Sequence, residues 1–390
     1  MNTRRLLLDH LHRKFPALAL ERLESLAAET LVSNQVLKLP HAVWMQATDF
    51  VRACHELRHS SRYARTLERE TQDRHLIDPG HDSIAMSYDF HLDASGTLKL
   101  IEINTNASFL ALGDELYEAQ NLAKPNPEFS SRAFEACVRR ELSAVLGPGA
   151  PLKAAIVDEA PEAQKLFLEF LVYEQWFKSW GWDVAVRDSA LDPSGFSFIY
   201  NRDTDFYLET ERLAQLRRAW VQKTAALSPH PYQYLLLADK QRQIDWAVPG
   251  FFESIGLSED SIRALRRHLP RVFDLNAESA ETLWAQRKSL FIKPKRSFGA
   301  KQSYRGGSIS RKMFEELIPQ DMIAQEFIPA PELKFDVNGT PTSMKYDLRF
   351  YAYGDEVQTV MARLYQGQVT NLRTEGGGFT AISFEGLPRS

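Results

Sequence analysis

Residues 88–106 read YDFHLDASGTLKLIEINTN, and no other stretch restricts the fold as tightly. Asp93-Ala94-Ser95-Gly96 is a turn sequence between an apolar, aromatic run from Ser87 to Leu92 and a second run from Thr97 to Ile103 that ends at Asn104. Two strands joined by such a turn make a β-hairpin. Side chains two apart on a strand share a face, so Glu102 and Asn104 project together. The turn brings the first strand back alongside and sets Asp89 beside Glu102, thirteen positions away in sequence. Two carboxylates and an amide oxygen at one point are hard donors suited to Mg²⁺, above all where phosphate oxygens complete an octahedron. Without a ligand, the same pattern describes a hairpin with an acidic, solvated end.

Composition narrows the setting. A 390-residue chain predicts two to three structural units with a sizeable core. Its 44% hydrophobic and 25% charged residues are ordinary for a soluble enzyme, and a net charge of −4 argues against nucleic acid as a partner. Cys54 and Cys137 are the only cysteines and lack a CxxC spacing, which argues against a disulfide framework or structural zinc and for a reducing, cytoplasmic setting. Arg4, Arg5 and Leu6 to Leu8 open like a signal peptide, but Asp9, His10, His12, Arg13 and Lys14 break the run. No stretch approaches the roughly 20 apolar residues of a membrane span.

Along the chain, Leu7, Leu11, Phe15 and Leu18, then Leu23 and Leu26, recur at helical spacing, so residues 1–80 read as a helical region. The hairpin and helices over 112–147 fill 81–150, up to the breaker Gly147-Pro148-Gly149-Ala150-Pro151. Residues 151–238 then alternate: strand Lys153–Val157, helix Glu162–Trp180, strands Asp183–Val186 and Phe196–Tyr200, as in an open parallel sheet. Over 239–390, strands are expected at Ser289–Lys293, Met322–Ile328, Lys345–Tyr353 and Glu356–Leu364, the last two around a Gly354-Asp355 turn. The fold class expected is α/β with α+β character.

The hairpin resembles the metal-binding hairpin of ATP-grasp ligases such as D-alanine–D-alanine ligases, where an Asp and a Glu-x-Asn at this spacing hold two Mg²⁺ ions. IEINTNASF is also similar to the corresponding segment of eukaryotic-type glutathione synthetases. The resemblance implies metal ligands at Asp89, Glu102 and Asn104. It extends to FIKP, whose Lys293 would touch ATP phosphates, and to the following basic loop with Gly299, Gly306 and Gly307. LLLADK resembles the opening of the nucleotide domain, with Lys240 as a second phosphate contact. Gln325, Glu326, Phe327 and Ile328 resemble the hinge that pairs with adenine, and Glu332 the acid that meets the ribose. Asp347-Leu348-Arg349 resembles a D-x-R strand whose arginine supports phosphates. Arg363 and Arg373, flanking the run to Gly376-Gly377-Gly378, would clamp a carboxylate or phosphate; the glycines would let backbone approach a ligand closely.

In typical members the metal hairpin follows these segments; here it precedes them. The resemblance therefore implies an ATP-grasp fold in circularly permuted order, with a Rossmann-like pre-ATP α/β unit, and requires the C-terminal strands to meet the hairpin in space. Two departures count against glutathione synthesis. Ser297 stands where eukaryotic-type enzymes carry a metal-binding glutamate, and Asn106 and Ser108 match their substrate serines only loosely. The activity implied is ATP-dependent joining of a carboxylate to an amine through an acyl-phosphate, with ATP and Mg²⁺, expected to be two ions. The alternatives are a small-molecule kinase and a non-catalytic nucleotide-binding module. Strand-end position nominates Asn201, Arg202, Asp203 and Asp205 for the substrate pocket. The apolar N-terminal helices leave two uses open, a homodimer contact or packing on the body.

Overall fold

The computed structural model describes residues 2–296, 302–337 and 339–385. Helices α1 (Thr3–Lys14), α2 (Leu20–Leu26) and α3 (His41–His59) come first, with strand β1 (Leu37–Pro40) ahead of α3. The Asn2 side chain accepts from the Arg5 amide and starts α1. On α3, Val43, Ala47, Phe50, Cys54 and Leu57 recur at three- and four-residue steps and form one buried stripe. Phe50 stands edge-on to Tyr88 and Phe90, at 6.0 and 5.4 Å between ring centroids. The N-terminal helices thus pack on the body of the protein. The sequence reading missed β1, which pairs in parallel with the last strand; a four-residue edge strand is too short to show a period.

The hairpin follows as β2 (Met86–Leu92) and β3 (Leu98–Asn104), then helices Leu110–Ala119 and Ser131–Leu146. Strands β4 (Lys153–Asp158), β5 (Asp183–Asp188), β6 (Phe198–Asn201) and β7 (Ala226–Ser228) form a parallel sheet in the order β5-β4-β6-β7, as the alternation in sequence predicted. Next come β8 (Val272–Leu275), β9 (Leu290–Pro294), β10 (Tyr304–Arg305) and β11 (Met322–Glu326), an antiparallel sheet in the order β10-β9-β11-β8. The chain closes with β12 (Glu332–Val337), β13 (Thr340–Tyr353), β14 (Glu356–Tyr365), β15 (Gly378–Thr380) and β16 (Ile382–Glu385).

The largest sheet runs β15-β14-β13-β2-β3, with β12 on the free part of β13. Strand β2 therefore lies directly beside β13, from Met86 opposite Ala352 to Phe90 opposite Leu348. The meeting of hairpin and C-terminal strands that the motif order required is present. Leu348 and Phe350 join one core with α3 and residues 232–238; Tyr351, Tyr353 and Met361 join another with α1 and the Phe167–Ser179 helix. A third core sits beneath the β8–β11 sheet. Among the described residues no helix is long and apolar enough to cross a membrane, and both cysteines are buried and unpaired.

Candidate active site

A departure from regular pairing builds the acidic corner. Asp89 lies opposite Glu102, but the next pair is Phe90 with Leu100, so Ile101 is an extra residue on β3. Such a bulge flips the alternation beyond it. Leu98 and Leu100 are buried before it and Ile103 after it, which turns Glu102 and Asn104 out of the core onto the face that carries Asp89. The bulge also leaves the Ile101 carbonyl free to accept from Lys293 Nζ at 2.7 Å. The two adjacent apolar residues Leu100-Ile101 were the sequence signal for it.

The opposing cations come by strand register. Arg349 on β13 lies across from Asp89, and Arg363 on β14 across from Asp347. Arg349 donates to both Asp89 oxygens, at 2.9 and 2.6 Å; Arg363 donates to Asp89 at 2.9 Å and twice to Asp347 at 2.8 Å. Ser87 Oγ adds a bond to Asp89 at 3.1 Å, and Asn104 Nδ2 one at 3.3 Å. Burial alone would raise the Asp89 pKa, but the two guanidiniums outweigh it and hold it below the ordinary carboxylate range. The result is a charge ladder across four strands: Glu102, Asp89, Arg349 and the Asp347–Arg363 pair.

Lys293 is buried. That burial, with Lys240 beside it, lowers its pKa to about 7 against the pull of Glu102 and Asp89. On β11, Gln325 donates to Gln243 at 2.9 Å, and the amides of Glu326 and Phe327 bond the carbonyls of Arg271 and Ser289. The Phe327 ring is flanked by Phe291 and by the Arg305 guanidinium, 4.6 Å from its centroid. Between this hinge, the charge ladder and the parallel sheet lies a cavity of about 600 Å³, the size of a small-molecule site.

Of the residues named from sequence, Asp89, Glu102, Asn104, Lys293, Gln325, Glu326, Phe327, Ile328, Arg349 and Arg363 line this cavity. Lys240 is buried behind Lys293 without lining it. Glu332 is exposed on β12, where it accepts from Ser343 Oγ at 3.1 Å, and Arg373 is exposed on the loop before β15; neither reaches the cavity wall. Gly299 and Ser297 lie outside the described residues. The glycine run approaches the protein itself: a Cβ on Gly378 would sit 2.4 Å from the Thr30 carbonyl oxygen, and one on Gly377 2.5 Å from that of Leu364. Close approach was the right expectation, but the neighbour is backbone where a ligand was expected.

Arg202 and Asp158 also line the cavity, and Arg202 lies 3.8 Å from the buried Glu169 carboxylate. Arg202 is buried, donating to Ala107 O at 2.8 Å, Tyr200 Oη at 2.9 Å and Ser108 Oγ at 2.6 Å. Burial raises the Asp158 pKa to about 6, with Arg202 pulling the other way. Asn201, Asp203 and Asp205 instead tie their own loop: Asn201 caps the Asp203 amide, Asp203 that of Asp205, and Asp205 those of Glu209 and Thr210. Asp158 was missed, although it ends a parallel strand and the rule that nominated Arg202 applies to it equally. His91 was missed too. It lies two residues from Asp89 on the same face, and its Nδ1 meets the Ile328 carbonyl at 2.8 Å, tying hinge to hairpin.

The β8–β11 sheet stands beside the large antiparallel sheet, with the charged cleft between them and the parallel sheet alongside. Among solved structures the chain is similar to a glutathione synthetase-like effector from Globodera pallida in its apo form. Identity is 12% and the TM-score 0.58, over 91% of this chain and 90% of that one, a likeness of fold. Weaker likenesses are a gamma-glutamylcysteine synthetase candidate from Methylobacillus flagellatus (11% identity, TM-score 0.46, 86% and 88% of the two chains) and a D-cycloserine synthetase (16%, 0.31, 55% and 75%). No protein-family model matches the chain, and no curated protein matches its sequence.

Proposed function

We propose that the protein is an ATP-dependent carboxylate–amine ligase with its ATP-grasp elements in circularly permuted order, acting on an amino acid or small peptide. The observation that carries this reading is one cavity lined together by the hinge, Lys293, the Asp89–Arg349–Arg363 ladder, Arg202 and Asp158, with Lys240 close to Lys293. Adenine would lie along Gln325–Ile328, with its phosphates toward the two lysines. Arg202 and Asp158 complement the carboxylate and ammonium of an amino acid.

The donor set at the acidic corner fits Mg²⁺ in part. Among the described residues Glu102 has one weak hydrogen-bond partner, Asn104 Nδ2 at 3.4 Å, which leaves its oxygens to a cation; Asn104 needs only an amide flip to present oxygen. Asp89 accepts five hydrogen bonds and has no lone pair to spare. Glu102 and Asn104 would therefore hold the ion, with Asp89 acting on it through charge alone. When bound, Mg²⁺ would supply neutralisation of the phosphate charge during phosphoryl transfer. Arg349 and Arg363 face the place where a carboxylate would receive phosphate. An acyl-phosphate there must be kept from water until the amine attacks.

Turnover is tested by ADP release from Mg²⁺·ATP against pooled amino acids, dipeptides and polyamines, with hydroxylamine in parallel. ADP with a hydroxamate is the expected result. ADP without hydroxamate would move the reading to a kinase, and no ATP binding at all would overturn it.

A further inference from the structure

We propose that His55, His59 and Asp82 form a site for one divalent transition-metal ion of the zinc class, joining helix α3 to the loop that enters β2. The two histidines are four residues apart on α3 and share a face, with ring centroids 4.3 Å apart. Asp82 reaches in from the loop: its Oδ1 is 3.2 Å from His59 Nε2 and its Oδ2 3.9 Å from His55 Nδ1. The second distance is too long for a hydrogen bond, so one carboxylate spans two imidazoles and satisfies only one. One donor atom from each residue lies within 4.8 Å of the other two. Zinc–nitrogen bonds of roughly 2.0–2.1 Å would draw the three together by about an ångström, a rotamer adjustment open to the half-exposed His59. Two imidazoles and a carboxylate leave further coordination positions to water.

The surroundings favour a cation. Arg58, the nearest guanidinium, is turned away: Nε donates to Gln233 at 2.7 Å, and the terminal nitrogens reach Asp78 and the His81 carbonyl. Asp355, on the turn between β13 and β14, adds negative charge toward His55. Gly354 in that turn roofs the cluster, where a Cβ would come within 3.4 Å of Asp82 Oδ2 and 3.7 Å of His55 Nδ1. The comparable group His10, Glu115 and Glu118 has no such vacancy, since Lys14 Nζ lies 2.9 Å from Glu115 and 2.7 Å from Glu118.

The test is calorimetric titration of Zn²⁺ into the chelator-stripped full chain, with Co²⁺ as a visible-absorbance probe of histidine coordination. One ion per chain should bind and raise the thermal midpoint. His55→Ala or His59→Ala should weaken binding about tenfold or more, while His75→Ala, at an exposed histidine elsewhere, should not. His59→Gln keeps the side-chain volume and separates loss of a ligand from loss of packing. Absence of one-to-one uptake, or uptake unchanged in both alanine variants, overturns the site.

Discussion

Replacing Asp89 by Asn removes one charge and almost no volume, so its effect isolates the electrostatics of the ladder. Among the described residues Asp89 is the only carboxylate bonded to Arg349, whereas Arg363 keeps Asp347. The variant therefore leaves one buried guanidinium uncompensated and turns an amide N–H toward other donors. Removing one partner of a buried ion pair costs about 3–5 kcal/mol. Glu102→Gln alters a carboxylate on the same corner that has one weak hydrogen bond, so its cost should stay within about 0.5 kcal/mol. Chemical denaturation of the ligand-free protein, followed by circular dichroism, reads both. The pH dependence supplies a second check. The Asp89 pKa is depressed in the fold, so its contribution is complete above the unfolded value of about 3.9 and disappears as the pH falls below it. The gap between wild type and Asp89→Asn should hold constant from about pH 5 to 8 and close below about 4. Equal stability of Asp89→Asn and wild type at pH 7 would refute the ladder; a large loss in Glu102→Gln would refute the view that this carboxylate is free for a cation.

Four further outcomes follow from the same geometry. Glu102→Gln should raise the Mg²⁺ concentration needed for half-maximal ADP formation at least tenfold, and an unchanged requirement would remove Glu102 from the metal site. Lys293→Met should abolish ATP turnover yet keep or raise thermal stability, because a buried lysine whose pKa is lowered to about 7 is itself costly to bury charged; a large stability loss would contradict this. Asp158 titrates at about 6 in the fold and lower when unfolded, so its ionisation opposes folding: stability should decline as the pH rises from about 4 to 6, and Asp158→Asn should flatten that decline in pH-dependent denaturation. Gly378→Ala, at φ +112° and with Thr30 O in the way, should destabilise by about 1–3 kcal/mol, and an unshifted denaturation midpoint would show that the close approach relaxes freely.

What could be read from sequence divides by the range of the interaction. Asp89, Glu102 and Asn104 were legible because a turn and a two-residue period act within a few positions. The parallel sheet and the β13–β14 hairpin were legible for the same reason. Register between distant strands was not: Arg349 was placed with phosphates on resemblance, but nothing local says that it bonds Asp89, 260 positions away. Nor does local pattern show that β1 pairs with β16, or that Gly378 abuts Thr30. The same limit hid the His55–His59–Asp82 group, whose helix pair is visible at four-residue spacing while its carboxylate arrives from another element.

That division has a consequence for how the site comes into being. The Asp347–Arg363 pair lies within the β13–β14 hairpin, but every contact of Asp89 with Arg349 and Arg363 crosses between β2 and those strands, so none of these can form until the β2–β3 hairpin docks on them. Before docking, Asp89 is a solvated carboxylate and Arg349 a solvated guanidinium, each keeping its hydration. Docking removes that hydration and can proceed only if the register pairs them, because a one-residue slip would turn Arg349 to the core face, turn Phe350 out of the core, and leave Asp89 buried alone. The ion pairs at the base of the proposed active site therefore also select the strand register that completes the largest sheet. A chain that carries the β2–β3 hairpin far ahead of its partner strands has particular need of such a check, since no short connection holds β2 against β13.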